Sequence, residues 1–149
     1  MDHLLTLIIF PKHRYITMKI SAIIKNEFNS NQVEVSSNSL AKSIIIASKD
    51  SGFGSSVNGG ELLALSLAVC YCNDVYREAA RRNLKITKVE VEVSADFGSE
   101  GEPGSNFRYK PTIESTAADA ELEDLIKYTD GVAEIHETLR AGVNVQLIH

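Results

Sequence analysis

Cysteine is scarce in this chain: only Cys70 and Cys72 occur among 149 residues. So few thiols exclude a secreted disulfide scaffold, and the pair cannot close on itself within a helix, where residues i and i+2 face different ways. Basic residues are outnumbered, 15 against 20 acidic for a net charge of −5. That balance argues against nucleic acid or an anionic membrane as partner. Long apolar runs are missing too. The longest, Leu62 to Cys72, is about half of what a membrane-spanning helix requires. Leu4–Phe10 is apolar, but it lacks the preceding basic residues and the small-residue cleavage site of a secretory signal. What is present, 44% hydrophobic and 23% charged residues, is the composition of one globular domain of ordinary size. A reducing, cytoplasmic setting is expected.

Residues 1–17 read as an amino-terminal extension, either an added strand or loose, with Met18 an alternative start. A single domain then runs from 18 to 149. Met18–Lys25 reads as a strand, Asn29-Ser30-Asn31 as a turn and Gln32–Ser36 as the hairpin partner. Leu40–Ser48 is a third strand, expected to be covered on both faces. Ser51–Gly60, with four glycines among serines, is a loop. From Glu61 to Arg82 the pattern is helical, without proline or internal glycine. Its first half is apolar all round, which predicts burial on every side, and its second half turns polar. Such a helix is about 33 Å long, and so much buried surface in a chain this short points to a dimer. Val89–Phe97 alternates as a strand with one wet face. Asn106–Ser115 returns, with Pro111 marking an edge or bulge. Helices follow at Asp119–Asp130 and around Val132–Leu139, and Val143–Ile148 is a last strand. The order βββ–α–ββ–αα–β predicts an α+β fold in which antiparallel sheets wrap a long central helix.

Cys70 carries the most chemistry. A thiol in an apolar helix is either packing or a protected nucleophile, and burial raises its pKa unless a cation lies near. It falls three turns into the helix, too far in for the dipole to help. Asn73 and Asp74 share its face, and Arg77 lies two turns along the same side. Arg108 and Arg140 are further cations on neighbouring elements. Cys72 points elsewhere, and Cys-x-Cys without more ligands is a poor metal site. The Gly/Ser loop lacks the Gly-Lys-Ser/Thr of a P-loop. His136, beside Glu134 on the last helix, reads as a solvated surface histidine, with pairing to a thiol as its catalytic alternative. No cofactor and no metal are called for.

Glu61-Leu62-Leu63 followed by Cys70, together with Thr138-Leu139-Arg140-Ala141-Gly142 before a Val-rich segment, resembles the OsmC/Ohr family of thiol-dependent hydroperoxide reductases. The resemblance implies an intertwined homodimer with two antiparallel sheets around central helices and active sites at the subunit interface. It implies that Cys70 is the reactive cysteine. It also exposes departures. The family opens its helix with Asn-Pro-Glu followed by Glu or Gln. Here Asn58 and Glu61 match, whereas Gly59 replaces the proline and Gly60 the glutamate that helps hold an activating arginine. The resolving cysteine, five residues before Thr-Leu-Arg, is Ala133.

The expected function is a one-cysteine reductase of organic hydroperoxides, with Cys70 as nucleophile, Glu61 and Arg77 as catalytic partners and Cys72, Asp74, Arg140 and His136 as accessory residues. An external small thiol would recycle it, since an unresolved sulfenic acid otherwise proceeds to sulfinic acid. The alternatives are a non-catalytic module that binds a small hydrophobic ligand, and a scaffold in which Cys70 is only core.

Overall fold

The computed structural model describes residues 17–148. The extension expected over residues 1–17 therefore lies, but for Thr17, outside the described residues. The chain divides into two compact units, the first ending at Ser56 and the second beginning at Val57.

The first unit is an antiparallel meander of β1 (Ile20–Glu27), β2 (Ser30–Ser37) and β3 (Leu40–Ile44), in the order β1-β2-β3. Two-residue turns join the strands. Asn29 takes φ 56° in the first, and Asn38 and Ser39 take 49° and 69° in the second; left-handed conformers are what tight hairpins need. The third strand ends earlier than expected and is exposed throughout, not covered on both faces. Ile45 just beyond it is 99% exposed. Of its Ile44-Ile45-Ile46 run only Ile44 falls within the strand, and among the described residues of this unit no helix lies over the sheet to bury it.

The second unit is built on α1 (Gly59–Arg81), followed by β4 (Ile86–Asp96), β5 (Ser105–Ser115), α2 (Asp119–Asp130) and α3 (Glu134–Ala141). The antiparallel hairpin β4-β5 pairs Val91 with Pro111 and Val93 with Tyr109. Pro111 thus sits in a two-stranded ribbon, where a missing N–H is tolerated. The inward residues Val89, Val91, Tyr109 and Ile113 pack on a core of Tyr71, Val75, Ala79, Leu125 and Ala133. Tyr71 fixes α1 to α2 through a hydroxyl that donates to the Ile126 carbonyl at 2.9 Å. Gly142, at φ 65°, closes α3 in the left-handed conformation that glycine adopts most readily.

Two further expectations fail. Residues 143–148 form no strand, because none of the described strands pairs with them, and Val143, Val145, Leu147 and Ile148 stand exposed. The first half of α1 is not buried on every side. Leu62, Leu65 and Val69, which share one face at spacings of three and four, are 40%, 56% and 50% exposed. Only the opposite face meets the hairpin and the other helices.

Candidate active site

Local sequence sets where α1 begins. The Asn58 side chain accepts the Glu61 N–H at 2.9 Å, and the Glu61 carboxylate accepts the Asn58 N–H at 2.6 Å. This reciprocal cap ties down two otherwise free amides. It also places Glu61 at the helix start, nine residues and about 14 Å of helix before Cys70, and not beside the thiol.

Cys70 lies where α1 meets the amino terminus of α3. Its Sγ donates to Asp74 Oδ2 at 3.4 Å, one turn further along the same face. Glu134 Oε2 is 4.0 Å from the sulfur, and the Ile135 backbone amide donates to it. Glu134 and Ile135 open α3, where backbone N–H groups have no helical partner and are free to meet a sulfur. Ala133 is the N-cap residue of that helix and adjoins Cys70's contacts.

Behind the thiol runs a chain of ion pairs. Arg77 Nη1 lies 2.6 Å from Asp74 Oδ1 and 3.3 Å from Glu134 Oε1, while Nε is 2.9 Å from Glu78 Oε1. Glu78 also takes Arg81 at 2.6 Å. Asp74 and Glu78, in the half of the helix that turns polar, are 3% and 2% exposed. They are tolerated inside because each is paired and hydrogen-bonded.

The electrostatics follow from these contacts. Burial pushes the Cys70 thiol up, the Ile135 amide pulls against it, and the negative charges of Asp74 and Glu134 raise it further. Burial also raises Asp74, a shift that the thiol's hydrogen bond and Arg77 reduce without cancelling and that Glu134 reinforces. The hydrogen bond from Arg77 holds Glu78 below the ordinary carboxylate value. Hydrogen bonding to Glu78 in turn raises Arg77. One guanidinium thus serves three carboxylates, and the resting sulfur is a protonated thiol bonded to a carboxylate. Such a thiol can lose its proton to Asp74 as it attacks. Ligand atoms of Cys70, Asp74 and Glu134 all lie within 4.8 Å of one another, and Arg77 supplies the positive charge beside both carboxylates.

The remaining expected residues stand apart. Cys72 lines a shallow depression with Ala68, Val69, Asn73 and Val91. His136 is buried, not solvated. Its ring lies 5.6 Å from Tyr71 and 4.5 Å from Tyr109 between centroids, and neither nitrogen has a hydrogen-bond partner among the described residues. Burial lowers its pKa and keeps it neutral. The cause is tertiary: α3 presses this face against α1 and β5. Arg140 donates to Asp130 at 2.5 Å and to Glu137 at 2.7 Å, and Asp130 also accepts the Tyr109 hydroxyl. Arg140 therefore ties α3 to the end of α2. Arg108 lies opposite Ser94 on the exposed side of the hairpin.

The structure thus brings Cys70, Asp74 and Arg77 together and adds Glu134, Glu78 and the Ile135 amide. Glu134 had one signal in the sequence, its place next to Ala133. Glu78 had another, since it extends the buried spacing 67, 71, 74, 75, 78, 79.

No curated protein matches this sequence. The family model described as OsmC-like protein matches residues 52–148. Among solved structures, an OsmC-like protein from Mycoplasma pneumoniae superposes with a TM-score of 0.59 at 18% identity, covering 91% of this chain and 99% of that one. An organic hydroperoxide resistance protein OsmC from Legionella pneumophila gives 0.53 at 20% identity, covering 89% and 96%. An OsmC-like hydroperoxide resistance protein from Jannaschia gives 0.50 at 16%, covering 89% and 90%. These likenesses establish the fold.

Proposed function

The chain belongs to the OsmC-like protein family, and from that premise we propose that it reduces organic hydroperoxides with Cys70 as its single reacting thiol. The observation that carries this reading is the Cys70 thiol donating to Asp74, a buried carboxylate that Arg77 holds in place. The hydroperoxide class comes from what the Legionella and Jannaschia relatives are called.

In the proposed step Asp74 takes the thiol proton as the sulfur attacks the terminal peroxide oxygen. The S–O bond forms and the O–O bond breaks, giving sulfenic acid and, once protonated, an alcohol. Sulfur is oxidised by two electrons and the peroxide is reduced by two. One external thiol then displaces water to give a mixed disulfide, and a second releases Cys70. External thiols are invoked because Ala133 occupies the resolving position and Cys72 lies on a different side of α1. We place the protein in the cytoplasm, where such thiols are kept reduced; among the described residues no helix is long and apolar enough to cross a membrane.

A homodimer belongs to the same proposal. The half-exposed stripe Leu62, Leu65 and Val69, with the exposed Val145, Leu147 and Ile148, is the kind of apolar surface that a second copy would cover.

The test is hydroperoxide consumption in the presence of a small thiol. Wild-type protein consumes cumene hydroperoxide catalytically and Cys70→Ser does not; equal rates for the two would remove the reading. A second reading, a binding module for a small hydrophobic ligand, has its own support in a cleft of about 450 Å³ lined by Leu63, Phe97, Gly104, Phe107 and Leu139, with Arg140 at its wall. Saturable binding of an apolar probe without peroxide turnover would favour it.

A further inference from the structure

Resting on the reductase reading, we propose that Glu134 is a second catalytic carboxylate, the group that delivers the proton to the departing oxygen. Reduction of a hydroperoxide expels an alkoxide, a poor leaving group that must be protonated as the O–O bond breaks. Asp74 is badly placed to do this. It is 3% exposed, one of its oxygens holds the thiol, and the other is gripped by Arg77 at 2.6 Å. Glu134 touches the same sulfur from the opposite helix, at 4.0 Å, and its side chain is 66% exposed. Of the two carboxylates beside the sulfur it is the one open to solvent. Its other oxygen shares Arg77 with Asp74, and the carboxyl oxygens of the two residues lie within 4.8 Å of each other.

The proton account closes within this cluster. As the sulfur attacks, its proton passes to Asp74, from Asp74 through one bridging water to Glu134, and from Glu134 to the leaving oxygen, which departs as alcohol. No proton is gained or lost overall, and Arg77 holds both carboxylates in position while the charge moves between them. Two neighbouring carboxyl groups sharing one proton is a known route to separate acid and base roles.

Glu134→Gln tests this through leaving-group dependence. With tert-butyl hydroperoxide, which expels an alkoxide, kcat/KM should fall about 100-fold. With peroxyacetic acid, which expels a carboxylate that needs no proton, it should change less than about threefold. Alkylation of Cys70 by iodoacetamide should be no slower, because a negative charge beside the sulfur has been removed, and an unchanged urea-unfolding midpoint checks that the variant remains folded. Glu134→Asp, which keeps a carboxylic acid, should recover part of the alkoxide-dependent rate. Equal losses with both peroxides, or no loss with either, would overturn the role of Glu134 while leaving the reductase reading intact. A wild-type protein that consumes neither peroxide would overturn both.

Discussion

The two halves of α1 reverse the usual arrangement of a helix. In its first half, Leu62, Leu65 and Val69 stand half in solvent; in its second, the carboxylates of Asp74 and Glu78 are buried. The polar half is inside because it is paired. Arg77 and Arg81 reach the two acids from the same helix, so burial leaves no lone charge. The apolar half is outside because, among the described residues, only one of its faces is covered. The difference teaches that burial along this helix follows available partners, not hydrophobicity. On the reading proposed above it also separates two jobs, chemistry where the charges are enclosed and association where the leucines are not.

The comparison can be broken most severely at the enclosed end. Asp74→Asn should lower kcat/KM for an organic hydroperoxide about 100-fold, because the acceptor of the thiol proton is gone. A rate within a few-fold of wild type would show that Asp74 merely packs. Next, Glu78→Gln should destabilise the fold by about 2 kcal/mol, since Arg77 and Arg81 lose their charged partner and exposed Arg81 moderates the cost. Urea unfolding at neutral pH measures this. Glu78 is held below the usual carboxylate value, so its stabilisation is complete above that value and disappears as pH falls through the folded one. The gap between wild type and variant should therefore close in acid. Asp74, shifted up, acts in the opposite sense. At the open end the effect is smaller. Leu65→Lys should weaken self-association by at least about tenfold, as a lysine is costly to bury in an interface. Sedimentation would read the change, and an unaltered dimer, or a wild-type monomer, would remove that face from the assembly.

Much of this was legible in the sequence. The helix Asp119–Asp130 was bounded correctly from its spacing and Gly131, while the strand that alternates over Val89–Phe97 runs from Ile86 to Asp96 and its partner begins one residue before Asn106. Helical geometry alone put Asp74 and Arg77 on the face of Cys70. What escaped was tertiary. Glu134 is 64 residues from Cys70, and no local pattern brings the start of α3 to the thiol. His136 looked like a surface residue because its neighbours Glu134 and Glu137 are polar, yet contacts with Tyr71 and Tyr109 bury it. Glu61 matched a family motif and proved to be engaged in capping, a role its distance of three from Asn58 also encodes. The expected last strand at 143–148 carried the right residues, but strand formation requires a partner edge, which residue identity cannot reveal.

The central claim is that carboxylates, not a cation, dominate the surroundings of Cys70. It is tested most directly by the pH dependence of Cys70 alkylation in a Cys72→Ser background, with and without Asp74→Asn. The account predicts a thiol pKa above the ordinary cysteine value, as burial, Asp74 and Glu134 require, and a fall when Asp74 loses its charge. A thiol pKa below the ordinary value, unmoved by Asp74→Asn, would contradict it and would mean that a cation from outside this cluster governs the sulfur.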